Sequence, residues 1–364
     1  MKTEIKFTPN KQHETFVSDF LNPECKKEKY IMGMSRDGYA LDVCKVAEIN
    51  GFIDDFSSID SFSGKPVFKS DVLSKDSLIL VCSTVRTVTA VNNLKNKGFN
   101  NVLDYPSFFM HVKNPEELKL NIFDTFTTEF ETNKDKFLWI YNLLKDEKSK
   151  EIFTTLIEYR LTANISLMAD FSYIPNEQYF PAFLKLEKDV FADVGGFDGQ
   201  TSLEFIKRCP DYQAVYLFEP SQSNINLAEK NLNGFSNIFF IDKGLSNHSA
   251  ELKFDESSYS PSKRGVSETG TVLIQVDTLD NLVEEEITFI KVDIEGAESL
   301  ALEGAKKHIL NDHPKIAIAV YHKSDDFWQI PAQILAIRND YDLHLRHYTQ
   351  GTDETVMYFL PRGY

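Results

Sequence analysis

The chain has 364 residues, 42% of them hydrophobic, and a formal charge of −16 at pH 7. That length and apolar content suffice for two domains, each with its own core. The acidity, with no face dense in Lys and Arg, excludes a nucleic acid as the expected partner, because such a surface repels phosphates.

The amino-terminal stretch "MKTEIKFTPNKQHETF" has no apolar export segment, and no later run reaches the roughly 18 apolar residues of a membrane span. The expected location is therefore the cytoplasm. From Lys29 to Tyr105 short apolar runs alternate with helical periods: "KYIMGMSRDG", "YALDVCKVAEIN", "GFIDDF", "KPVF", "SLILVCST", "TVTAVNNLKNKG" and "NNVLDY". This pattern predicts a small parallel sheet, a Rossmann-like domain over residues 1–105. The cysteines, Cys25, Cys44, Cys82 and Cys209, show neither CxxC nor Cys/His spacing, so they read as reduced thiols without a zinc site.

Residues 106–188 carry helical periods rich in Phe, Leu, Lys and Glu, ending in the proline-broken "SYIPNEQYFPAFL". They read as a helical connector covering the entrance of the next domain. From 189 to 364 the alternation returns, with strands "VFADVG", "AVYLFEP", "NIFFIDKG", "TFIKVDIEG" and "KIAIAVYH", then "LHLRHY" and "ETVMYFLP" with no helix between them. The expected fold is α/β: a doubly wound, mostly parallel sheet closed by an antiparallel hairpin. The polar stretch 255–270, "DESSYSPSKRGVSETG", is too long for a turn and is a candidate binding loop.

Ligands of an open doubly wound sheet bind beyond the carboxyl ends of its strands, and those ends are acidic here. Asp193 precedes Gly195, Gly196 and Gly199; Glu219 follows the second strand, Asp242 the third, Asp293 and Glu295 the fourth, and His322 the fifth. The glycines let the backbone turn and approach a ligand, while Thr201 or Ser202 is available to cap the following helix. A dinucleotide fingerprint would read GxGxxG and offer N–H groups to a pyrophosphate. Here GGxxG follows an aspartate, which would repel phosphate and attract a cation. S-adenosylmethionine has such an end, with its sulfonium and ammonium. Glu219 is then placed for the ribose hydroxyls and Asp242 for the adenine amino group. Acids at four strand ends would be costly to bury together without a cationic ligand.

The stretches "FADVGGFDGQTS", "YLFEPSQSNINLAEKNL", "TFIKVDIEGAESLALEGA" and "LHLRHYTQGTDETVMYFLP" resemble the FkbM-type methyltransferases over residues 146–361. The resemblance implies a class I methyltransferase fold, S-adenosylmethionine as methyl donor, and a sugar hydroxyl as acceptor. It implies that Asp193, Gly195, Glu219 and Asp242 bind the donor, with Asp293 beside its methionine part and the substrate. Methyl transfer to a poor nucleophile benefits from a base. His322 is the better candidate by intrinsic pKa and Asp293 is the other, as base or as acceptor of the substrate hydroxyl. Asp293, Glu295 and Asp198 are also residue types that would hold Mg²⁺, although no metal is favoured.

The first domain resembles the nucleotide-sugar-binding domain of bacterial sugar acetyltransferases. On that resemblance Gly33 and Gly38 would admit a diphosphate beside Arg36, and Asp54 or Asp55 would reach a ribose or base. The other reading is a degenerate Rossmann unit used for packing or for homodimerisation. Two further functions compete with methyl transfer: a nucleotide-sugar or NAD(P)-dependent enzyme, against which the first domain's lack of GxGxxG counts, and a binding protein with a vestigial fold.

Overall fold

The apolar runs of the sequence become strands of two separate parallel sheets. The structure is a computed structural model and describes residues 5–34, 39–113, 118, 121–254 and 272–363. Its contacts divide the chain into two units: Met1–Thr132 with Phe153–Tyr173 and Tyr348–Asp353, and Asn133–Ile152 with Ile174–His347 and Glu354–Tyr364.

In the first unit, strands β1 (Lys29–Met32), β2 (Gly51–Ile53), β3 (Ser61–Phe62), β4 (Lys65–Phe68), β5 (Leu78–Val81) and β6 (Asn101–Asp104) form one sheet in the order β3-β4-β2-β1-β5-β6. All pairings are parallel except β3 with β4. The run Leu78–Val81 is buried on both faces, as a central parallel strand must be. Tyr30, Ile53, Ile79 and Val81 pack with Val91, Leu94 and Phe99 into its core. A helix over Lys11–Leu21, which the sequence reading did not pick out, starts at Asn10, whose side chain accepts from Gln12 N and His13 N.

The second unit holds β7 (Val190–Val194), β8 (Ala214–Phe218), β9 (Ile238–Ile241), β10 (Gly244–Leu245), β11 (Ala250–Phe254), β12 (Val272–Asp277), β13 (Phe289–Val292), β14 (Lys315–Ala319), β15 (Tyr341–His347) and β16 (Thr355–Pro361). Seven of them form a sheet in the order β15-β16-β14-β13-β7-β8-β9, with β16 antiparallel to both neighbours and the rest parallel. This is the expected doubly wound, methyltransferase-like sheet with its antiparallel hairpin. Phe191 and Phe289, on paired strands, stack at 4.9 Å, and Phe205 of the helix Gln200–Arg208 stacks on Phe191 at 4.4 Å; all three are fully buried. The rings tie sheet to helix below the strand ends.

Strands β10, β12 and β11 make a further small sheet that the sequence reading missed. Their weak, half-buried alternation, as in "VLIQVD", carried little apolar signal. The polar stretch 255–270 lies outside the described residues. The span expected as one connector, 106–188, is shared between the two units. It contains the helices Asn121–Thr132, Lys134–Leu143 and Glu147–Thr162. The last two are separated at Asp146, whose carboxylate accepts from Ser149 N and Ser149 Oγ at 2.8 and 2.9 Å and so starts a new helix. No described helix is long and apolar enough to cross a membrane.

Candidate active site

Strand β7 is buried throughout, so its one acid, Asp193, is carried inside with 0% exposure. The neighbouring strand answers it. Lys291 stands opposite Asp193 in the register of β13 on β7, with its Nζ 3.1 Å from Asp193 Oδ1. Ser202 Oγ donates to Asp193 Oδ2 at 2.7 Å. The cation that the sequence reading assigned to a ligand is thus the protein's own, because a buried carboxylate needs a partner whether or not a ligand is bound. Lys291 Nζ also donates to Gly195 O at 2.7 Å, fastening the turn. Gly195 has φ 79°, and a Cβ there would lie 2.0 Å from Asp293 O, so glycine is required by backbone against backbone. Gly196 meets the Leu217 side chain in the same way, and both glycine N–H groups donate to Phe218 O at 3.0 Å. The following helix is capped by neither Thr201 nor Ser202. Gly199 is its N-cap residue, Asp198 Oδ1 accepts from Gln200 N at 3.2 Å, and the Ser202 hydroxyl is committed to Asp193.

Glu219, just past β8, is 7% exposed. Its Oε1 accepts from Ser221 N and Asn224 Nδ2 at 3.0 and 3.2 Å, and its Oε2 from Phe197 N at 3.1 Å. Burial pushes its pKa up, opposed by these donors and the charge of Lys291. A carboxylate has about four acceptor positions, so roughly one remains, on Oε2. Asp242 is exposed on the turn between β9 and β10.

The ends of β13 and β14 bring the remaining candidates together. Asp293 Oδ2 accepts from Tyr179 OH at 2.5 Å, and Tyr321 OH lies 3.4 Å from both carboxylate oxygens. Burial and the Asp293 charge push both phenols well above their ordinary pKa, which keeps them proton donors. Gln178 Nε2 donates to Tyr179 OH at 2.9 Å and also to Glu354. Glu295 sits at φ 56°, a left-handed position for a residue with a side chain. His322 Nε2 is 3.5 Å from both Asp293 Oδ1 and Glu295 Oε2, and Nδ1 is 3.0 Å from Glu298 Oε1. Burial alone would strip the ring of its proton, yet Glu298, with Asp293 and Glu295 behind it, holds the pKa well above the ordinary histidine value. Conversely, burial would raise Glu298, but His322 and the Ile294 backbone N–H bring it down to about 2. The surrounding carboxylates thus favour the protonated ring, which weighs against His322 as the base and towards Asp293, the other candidate expected from sequence.

The fold that carries these strand-end acids has counterparts. Residues 189–363 match the model of the methyltransferase FkbM domain. A crystal structure of methyltransferase FkbM from Methylobacillus flagellatus KT superposes with TM-score 0.75 at 21% identity, covering 97% of this chain and 94% of that one. At that identity the likeness shows the fold. A putative rRNA-methylase from Clostridium thermocellum matches with TM-score 0.35 at 9% identity, over 52% of this chain and 95% of that one. Fibrillarin from Aeropyrum pernix, solved with natively bound S-adenosyl-L-methionine, matches with TM-score 0.32 at 15% identity, over 49% and 69% of the two chains. No curated protein matches the sequence.

Sequence reasoning missed four side chains in and beside the matched segment. Lys291 was visible as a charge inside the apolar strand "FIKV", a position a lysine occupies only with a buried partner. Glu298 closes "DIEGAE" and accepts from Ile294 N and Gly296 N at 3.0 and 3.2 Å. Tyr321 was hidden as one more apolar residue beside His322. Tyr179 comes from the proline-broken segment, and nothing local showed that it reaches Asp293.

The first unit places its candidates differently. Gly33, with φ 103°, is packed against the end of β5: a Cβ there would lie 2.8 Å from Ser83 N. A close approach of backbone to backbone thus accounts for the glycine. Arg36 and Gly38 lie outside the described residues. Asp54 Oδ1 accepts from Phe56 N and Ser57 N at 2.8 and 3.0 Å, forming a local turn in place of a ribose contact. At the start of the helix Thr87–Asn96, where an anion would sit, Gln350 Oε1 accepts from Thr89 N at 2.9 Å, and Gln350 N donates to Val85 O at 2.9 Å.

Proposed function

We propose that the chain is an S-adenosylmethionine-dependent O-methyltransferase whose acceptor is a sugar hydroxyl. The observation that carries this reading is the paired set at the ends of β8 and β13: a buried, anchored Glu219 with acceptor capacity left, and Asp293 ringed by two phenols. The residues fit the donor. Beyond the Asp193–Lys291 pair, the carboxylates of Glu219, Asp293, Glu295 and Glu298 outnumber the one histidine among them, whichever form its ring takes, and a sulfonium and ammonium would offset that surplus. Glu219 would hold a ribose hydroxyl, and Asp242 remains the candidate for the adenine amino group. Bound there, the donor supplies a methyl group on a positively charged sulfur, which an acceptor oxygen displaces in line.

Asp293 accepts a hydrogen bond from the acceptor hydroxyl and takes its proton as the oxygen attacks. Tyr179 and Tyr321 fix the carboxylate's orientation, so it is set before the acceptor arrives. Their rings, with the amide of Gln178 and the carboxylate of Glu354 nearby, combine apolar faces and hydrogen-bonding groups, which suits the two-sided surface of a sugar. The test is incubation of the full chain with methyl-labelled S-adenosylmethionine and fractionated extracts. A labelled O-methyl sugar formed in step with S-adenosylhomocysteine is expected. Label on nitrogen, RNA or protein, or no donor binding by calorimetry, would overturn the reading.

A further inference from the structure

The imidazole of His322 is more than a paired base at a strand end. Its side chain is 6% exposed, yet neither ring nitrogen has a hydrogen-bond partner among the described residues. Glu298 Oε1 lies 3.0 Å from Nδ1 without the alignment of a hydrogen bond, and the Asp293 and Glu295 oxygens facing Nε2 stand 3.5 Å away. A buried donor left in that state is costly, and three acids share the space with it.

A metal ion explains what hydrogen bonding does not. In a metal site the ligand atoms approach one another without pointing at one another, because each points at the ion. With bonds of about 2.1 Å, neighbouring donors stand about 3 Å apart and opposite ones about 4.2 Å. One ligand atom each from Asp293, Glu298 and His322 can be chosen so that all lie within 4.8 Å of one another, and Glu298 Oε1 and His322 Nδ1 are 3.0 Å apart. We infer that Asp293, Glu298 and His322 bind one divalent first-row transition-metal ion, with the Glu295 carboxylate adding negative charge beside it. One imidazole among carboxylates selects Mn²⁺, Fe²⁺ or Co²⁺ over Mg²⁺ and Ca²⁺, which favour oxygen-only shells. The set differs from the Mg²⁺ ligands expected from sequence, since Asp198 accepts from Gln200 N and is not among the clustered ligands. An imidazole ligates through its neutral form, so the ion competes with a proton for the ring. Only the consequence rests on the methyl-transfer reading: an ion beside Asp293 would grip an acceptor hydroxyl.

The test uses the full chain stripped with chelator. Free Mn²⁺ is followed by electron paramagnetic resonance during titration of the wild type, His322→Gln and Asp293→Asn, with thermal melting to check folding. One Mn²⁺ per chain, weakened at least about tenfold in each folded variant and resisting excess Mg²⁺, is the expected result. If His322→Gln does not fold, Asp293→Asn decides. No binding at millimolar Mn²⁺, equal binding by the variants, or ready displacement by Mg²⁺ would each overturn the inference. Donor binding, measured separately by calorimetry without metal, keeps this failure distinct from failure of the methyltransferase reading.

Discussion

The two sheets carry similar sequence signals at their strand ends and use them in opposite ways. In the first unit the groups named among the described residues are satisfied by the chain itself: Gly33 lies against Ser83, Thr89 N–H is taken by Gln350, and Asp55 is held by Ser70 and Lys97. In the second unit the acids outnumber their partners, and His322 stands among three of them. The lesson is that a Rossmann-like strand end points to a ligand only where its polar groups are left incompletely matched, and glycines there can equally serve close backbone packing.

The sharpest way to break this comparison is to remove the one cation that makes Asp193 structural. Lys291→Met should cost about 3–5 kcal/mol, the usual penalty for stranding a buried charge. Urea unfolding should show the loss in the second unit, and an unchanged midpoint would return Asp193 to the list of ligand-facing acids. Next in size, Glu219→Ala should weaken S-adenosylmethionine binding by about 1.5–3 kcal/mol in calorimetry, the worth of a hydrogen bond to a charged acceptor. The fold should persist, and unchanged affinity would remove the ribose assignment.

In the first unit, Gly351→Ala places a Cβ 1.9 Å from Thr84 O and should destabilise by about 1–3 kcal/mol through overpacking, with donor affinity untouched. The wild-type chain should show no uridine or guanosine diphosphate binding at millimolar ligand. Stoichiometric binding there would show that the crevice opens and would erase the contrast between the units.

The effects of pH run in opposite directions in the two units. Burial, only partly offset by Ser107, pushes buried Asp104 up to about 6. Its folded pKa exceeds its unfolded one, so the stability it permits is present below about 4 and is lost as pH rises through 6. Asp146 goes the other way: burial would raise it, but His344, Ser149 and Arg346 bring it down to about 2. Its contribution is present above about pH 4 and lost as pH falls through 2. Chemical denaturation at a series of pH values should show Asp104→Asn flattening the profile between 4 and 6, and Asp146→Asn flattening it between 4 and 2. An unaltered slope in either variant would refute that residue's assignment.

Much of the fold was legible in the order of residues alone. The runs "VFADV", "FIKV" and "KIAIA" determined buried parallel strands by apolarity and length, and their flanking acids marked the edge where the chemistry collects. The final hairpin followed from two strands without a helix between them. What only the tertiary structure decided is which charge each acid meets. Asp193 lost its place as ligand-facing because Lys291 lies opposite it across a strand pair separated by almost a hundred residues of chain. For His322 the deciding neighbours are Glu298, Asp293 and Glu295, which favour its protonated form, because a proton's affinity depends on charges within a few ångströms, whatever their distance in sequence. Tyr179 joined the site from outside the domain's own strands. Periodicity is a local property and was readable; electrostatic partnership is a property of folded distance, and the linear order of residues does not contain it.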